Sequence, residues 1–188
     1  YLSIMYINFG QLYYEKKEYD IAIDYFKKSW NILESAPEKD LNSISRSLEY
    51  IGRAYNEQKR YEDALFHIQY AINQWTSMNI DEIDWKTNPS LDLIPRKIRT
   101  IALFAAKAQV IHNLAKLDNS AEFLLQSKNS FDITLALIED LRLQYILDMP
   151  KYGFVKRYTH IYQEAAQVNF ELWQEFKEEK YKTRSFEL

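Results

Sequence analysis

Cysteine is absent from the 188 residues. That excludes a disulfide framework, a thiolate metal site and a cysteine nucleophile within the chain. The absence fits a reducing compartment, and a cytoplasmic location is expected. Glycine and proline are scarce, at three and four residues. Sheets joined by tight turns consume both, so an all-α chain of long helices and few loops is expected. No apolar run approaches the ~18 residues that span a bilayer, and no membrane association is expected. An excess of one charge is lacking too. A net charge of −3 and a pI near 5.7 argue against general attraction to nucleic acid or anionic lipid. The first residues, Tyr1-Leu-Ser-Ile-Met-Tyr6, carry no basic stretch ahead of an apolar core, so no secretory signal is expected. They also lack an initiator Met, and Lys182–Leu188 stops inside a helical pattern. A longer parent protein is therefore expected.

Hydrophobic residues make up 47% and charged residues 27%, enough apolar material for a continuous core. One domain over 1–188 is expected, with subdivisions 1–36, 41–78, 79–95, 96–145 and 151–188. Residues 6–29 and 48–71 superimpose without a gap at an offset of 42. Gly10 meets Gly52, Tyr13 meets Tyr55, Lys17 meets Lys59, Tyr19 meets Tyr61 and Ala22 meets Ala64. Each block holds two amphipathic stretches around a short polar turn, Glu15–Glu18 or Glu57–Arg60. The apolar spacing, as in Ile21, Ala22, Tyr25, Phe26 and Trp30, is helical. A glycine inside a helix costs about 1 kcal/mol relative to alanine. Its recurrence at one position of both blocks predicts a close crossing of two antiparallel helices, with a large side chain filling the space beside it.

Gly-x-x-Tyr, then Tyr-x-x-Ala, then an aromatic residue or Ile four residues on resembles the tetratricopeptide repeat family. Repeat 1 supplies Tyr6, Phe9, Gly10, Tyr13, Tyr19, Ala22, Phe26 and Ser29. Repeat 2 supplies Leu48, Ile51, Gly52, Tyr55, Tyr61, Ala64, Ile68 and Ala71. Ser29 replaces the usual small Ala, no proline closes either repeat at the usual place, and the period exceeds the common 34 residues. The resemblance implies antiparallel helix pairs stacked into a right-handed superhelix, an alpha-alpha superhelix, with protein binding as its role.

Beyond the repeats, residues 79–95 read as a loop with two prolines and clustered acids. Helices are expected over 96–114, 121–145 and 154–176, separated by a turn at Lys116–Ser120 and a break at Met149–Gly153. A last, shorter helix follows a turn at Lys177–Lys180. The strings Ser130–Arg142, Ile161–Ala166 and Ser185–Leu188 are similar to the helical segment ahead of the caspase-like peptidase in CHAT-domain proteins. That resemblance implies a sensing or scaffolding arm without the peptidase.

Sites for chemistry are sparse. His67, His112 and His160 lie in separate helices, none at a ligand spacing. Asp81, Glu82, Asp84 and Asp92 lack the central glycine of a calcium loop. The three glycines form no phosphate loop, and consecutive acids such as Glu139-Asp140 point in different directions on a helix. No catalytic residue, metal or cofactor is expected, and no enzyme activity. The basic pairs Lys16-Lys17, Lys27-Lys28 and Arg96-Lys97 lie near aromatics but among equally dense acids, so nucleic-acid binding is not the expected role.

In the register of the repeat family, the first helix of each pair lines a concave groove. The groove positions are Ile7, Gln11 and Tyr14, then Arg46, Glu49, Arg53 and Asn56. Arg46 and Arg53 are the strongest candidates, since a guanidinium forks onto a carboxylate. The family's clamp for C-terminal carboxylates needs Lys and Asn where this chain has Ile7 and Gln11, so chaperone tails are not expected ligands. A protein or peptide held in the groove is the expected partner. The alternatives are a regulatory arm that contacts nucleic acid or a nucleoprotein, and a sensor region of a signalling kinase or transcription regulator. The oligomeric state is left open.

Overall fold

The computed structural model describes residues 1–76, 78, 83–95, 97–145 and 151–188. Its regular structure is helical, in the order α1 (Leu2–Glu15), α2 (Tyr19–Glu34), α3 (Leu41–Glu57), α4 (Tyr61–Thr76), α5 (Ile98–Asp118), α6 (Ala121–Tyr145), α7 (Lys151–Phe176) and α8 (Glu179–Glu187), with one 3-10 turn at Leu91–Leu93. No strand occurs among the described residues. The chain divides into two compact units, Tyr1–Pro95 and Arg96–Leu188.

The turn closing α1 shows how the sequence makes a helix pair. Lys17 takes a left-handed conformation, φ 61°. Its amide then donates to the carbonyl of Tyr14, and the Glu18 amide donates to that of Tyr13. These two bonds satisfy carbonyls that the helix end leaves without partners, and they reverse the chain within three residues, Lys16 to Glu18. Lys59 repeats the conformation with the same φ, its amide donating to the carbonyl of Asn56 and the Arg60 amide to that of Tyr55. The corresponding turn after α5 uses Asn119, φ 49°, with the Ser120 amide on Ala115. Ser120 also caps α6, accepting the Phe123 amide at 3.3 Å.

Within the first unit α2 packs on both α1 and α3, and α3 on α4. Phe26, Ile44, Leu48, Ile51, Leu65 and Ile68 are fully buried there. The glycines sit at the expected close crossings. A Cβ on Gly10 would lie 2.6 Å from the Phe26 ring, and one on Gly52 would lie 2.6 Å from Cγ1 of Ile68. Asp40 caps α3, accepting the amides of Asn42 and Ser43 at 3.1 and 3.2 Å. Hydrogen bonds from Ser43 outweigh partial burial and hold the Asp40 carboxyl below its ordinary range.

In the second unit α5 pairs with α6 and α7 with α8, and α7 also packs on α6. Two sequence boundaries change. α5 continues past Leu114 to Asp118, so the turn contracts to Asn119 and Ser120. α7 starts at Lys151, which makes Gly153 a helical residue, because one glycine near a helix start does not stop it. Residues 79–82 of the expected loop, with Asp81 and Glu82, lie outside the described residues, as do Arg96 and residues 146–150, with Met149 of the expected break.

Candidate functional site

The first helices of the two pairs, α1 and α3, meet along a polar seam. The Gln11 carboxamide donates to the Tyr50 hydroxyl at 2.7 Å, and its Oε1 accepts from Nη2 of Arg46 at 2.9 Å. One turn further along α3, Nε of Arg53 donates to Oε1 of Glu49 at 2.9 Å. Arg46, Glu49, Tyr50 and Arg53 recur three, four and seven residues apart, which places them on one face of a helix. Tyr14 closes the seam, its ring edge-on to Tyr50 at 5.8 Å and to Tyr19 at 5.5 Å.

The electrostatics follow from half-burial. Burial, with the Glu57 carboxylate nearby, pushes the Tyr14 hydroxyl up to about 12, so it stays a neutral donor. Burial works against the charge of Arg53, but Glu49 outweighs it and holds the guanidinium above its ordinary value. Glu49 is buried and Arg53 keeps a third of its side chain exposed. Their mutual pairing means that Arg53 does not offer a bare charge. Arg46 differs, because its partner is a neutral amide.

Six of the expected groove residues therefore lie on or beside this seam. Gln11, Tyr14 and Arg46 join one cluster with Tyr50, Glu49 and Arg53 form a pair, and Asn56 lies half-buried at the end of α3. Ile7 is placed elsewhere. It is 1% exposed, in the core of the first unit, and its repeat-2 equivalent Glu49 is likewise buried. Tyr50 is the member the sequence reading missed. It accepts from Gln11, packs on Tyr14 and stacks on Phe26 with ring centres 5.0 Å apart. Its spacing of four from Arg46 is the signal that would have found it.

The first helices of the second unit, α5 and α7, are tied in a similar way. Gln109 donates to Glu164 at 2.6 Å, and His112 lies 2.6 Å from Glu171, which Lys116 also approaches at 3.5 Å. Burial raises the Glu171 carboxyl, but hydrogen bonds from Gln167 and His112 outweigh it and leave it below its ordinary range. His67 instead packs against Tyr55 and Trp30, and His160 is exposed. An open cleft of about 850 Å³ lies between α6, α7 and α8. Its charges are met within the protein: Lys128 pairs with Asp132, Lys180 with Glu178 and Arg184 with Glu187. Asp84 accepts the Lys86 amide at 2.9 Å, as in a local turn. Among the described residues no group of three or more His, Cys, Asp or Glu is placed to hold a metal. No helix is long and apolar enough to cross a membrane there.

Two helix pairs repeat the same turn and the same glycine crossing, and one polar seam joins their first helices. Residues 1–76 match the tetratricopeptide repeat family. The matched region covers α1 to α4, both blocks of the 42-residue repeat, and it includes every residue of the seam. No curated protein and no solved structure matches the chain.

Proposed function

We propose that the chain is a non-catalytic protein-interaction module whose tetratricopeptide repeats hold a peptide segment of a partner protein along the α1–α3 seam. Tetratricopeptide repeats generally mediate protein–protein interaction, and helical repeats of this kind are typically non-catalytic. The observation that carries the finer reading is the pairing of arginines. Arg53, Arg60, Arg142 and Arg184 each face a carboxylate three or four residues away. Arg46 faces Gln11. A partner's Asp or Glu side chain displaces that amide and forks onto the guanidinium, while the Tyr14 and Tyr50 rings pack against its neighbours.

Fluorescence polarisation with paired peptides, one Glu-containing and one with Gln in place of Glu, tests this. The acidic member binds tighter, and Arg46→Met removes the difference, a loss of roughly tenfold for one charge-assisted bond. Equal binding of both peptides sinks the acidic anchor. Retention on heparin, lost at moderate salt, favours the nucleic-acid alternative instead.

The strings similar to CHAT-domain proteins fall in α6, α7 and α8. They support reading the chain as the sensing or scaffolding arm of a cytoplasmic peptidase. A parent protein that carries no caspase-like His and Cys pair removes that reading and leaves a general adaptor.

A further inference from the structure

The outer face of α1 carries Leu2, Met5, Phe9 and Leu12, exposed by 53, 53, 43 and 49%. Their spacing of three, four and three residues makes one continuous apolar seam. The internal repeat shows what such a face is for. Forty-two residues on, the same positions of α3 are Ile44, Ser47, Ile51 and Ala54, all fully buried. There α3 packs on α2, with the Ser47 hydroxyl 3.2 Å from that of Ser29. The uncovered face of α1 is therefore the counterpart of an interface already formed within the molecule.

The two faces differ in size. Where α3 has Ser47 and Ala54, which admit a closely approaching helix, α1 has Met5 and Leu12. The α1 seam presents large knobs throughout and suits a partner helix that also presents them, as in a coiled-coil seam. It also carries no charge: the one charged side chain of α1 is Glu15, at its C-terminal end. An antiparallel copy of α1 meets both demands. It brings the same four knobs and sets Glu15 beside the positive N-terminal end of the opposite helix.

We infer that a second copy of this chain covers the seam, α1 packing antiparallel on α1 of the partner subunit about a two-fold axis. The four side chains and the tyrosines beside them offer on the order of 500 Å² per copy. The pair then buries on the order of 1,000 Å², above most lattice contacts and within the range of weak, reversible association. Docking of α8 from another copy fits less well. That helix is rich in Glu, Lys and Arg and shows one large exposed apolar side chain, Phe186. Such a head-to-tail contact would also be heterologous and would not close as a pair. The inference does not depend on the peptide reading, since the seam lies on the far side of α1 from Gln11.

Sedimentation velocity on the chain, from low to high micromolar concentration, tests it. A reversible dimer is expected. Met5→Glu and Phe9→Glu, one change each, shift it to monomer with helical circular dichroism unchanged, and Phe186→Glu leaves it dimeric. Should Phe9→Glu lose its helical signal, Met5→Glu decides alone, because half of that flexible side chain is already in solvent. A monomer throughout the range overturns the inference. So does a dimer untouched by either α1 variant, or a growing series of oligomers that Phe186→Glu abolishes.

Discussion

Where repeat 1 has Tyr25, repeat 2 has His67, and the two sites show how one backbone serves two surroundings. Tyr25 stacks on Tyr13 at 5.4 Å and touches Tyr6 and Phe9, while Lys16 and Lys28 lie over the rings. His67 meets the equivalent Tyr55 at 5.4 Å and is pressed against Trp30 from α2. Repeat 1 folds its aromatics onto one another at an uncovered face. Repeat 2 spreads the same positions against a neighbouring helix. What stays constant is Gly10 with Gly52, Ala22 with Ala64 and the left-handed Lys17 with Lys59, each of which the backbone path demands. The side chains between them follow the neighbours.

The sharpest test of this contrast is a pair of truncations at one repeat position. Ile51→Ala empties a fully buried site and is expected to cost roughly 2–5 kcal/mol, whereas Phe9→Ala costs about 1 kcal/mol. Urea unfolding of the two variants measures both, and equal losses would break the contrast. Next in size are the glycines. Gly52→Ala drives its Cβ onto Ile68 and within 3.0 Å of the Ala64 carbonyl oxygen, and Gly10→Ala onto the Phe26 ring alone. Both lose about 1–3 kcal/mol, Gly52→Ala the more, because a helix carbonyl yields less than a ring edge. Melting temperatures in the opposite order would place the tighter crossing in repeat 1.

Lys17→Gly and Lys59→Gly act the other way. Each relieves a left-handed non-glycine residue and is expected to stabilise by about 1 kcal/mol, equally in the two repeats. A loss in either melt would mean that the lysine side chain matters more than its backbone. The smallest effect is one of pH. Burial holds the His67 imidazole below its usual 6.5. The folded form then binds fewer protons than the unfolded, so this stability is present above pH 6.5 and is lost as pH falls through the folded value. His67→Tyr, which installs the repeat-1 residue, should flatten the melting temperature across that range, and an unchanged slope assigns the dependence to other groups.

Much of this architecture was legible beforehand, for physical reasons tied to particular residues. Gly52 and Ala64 announce a close crossing because nothing larger fits there. Tyr19 and Tyr61 mark where each second helix begins. The polar turn at Glu57–Arg60 is visible as a gap in the helical spacing. The placement of Ile7 was not legible, since a groove position and a core position differ by less than a quarter turn, and aliphatic character fits both. Nor was the difference between Arg46 and Arg53. Both are arginines on one helix face, and only coordinates reveal that Glu49 holds one and Gln11 the other. The division at residue 95 falls where the expected loop with its two prolines ends, but a loop inside one domain and a loop between two compact units look alike in sequence.

In the first unit each helix leans chiefly on its neighbours in the chain, α1 on α2, α2 on α3 and α3 on α4. Such short-range contacts close small loops, so this unit should assemble quickly. The same wiring sets its mechanics. Under tension applied at its ends the contacts between successive helices carry most of the load, and the repeats are expected to yield in succession, one hairpin after another.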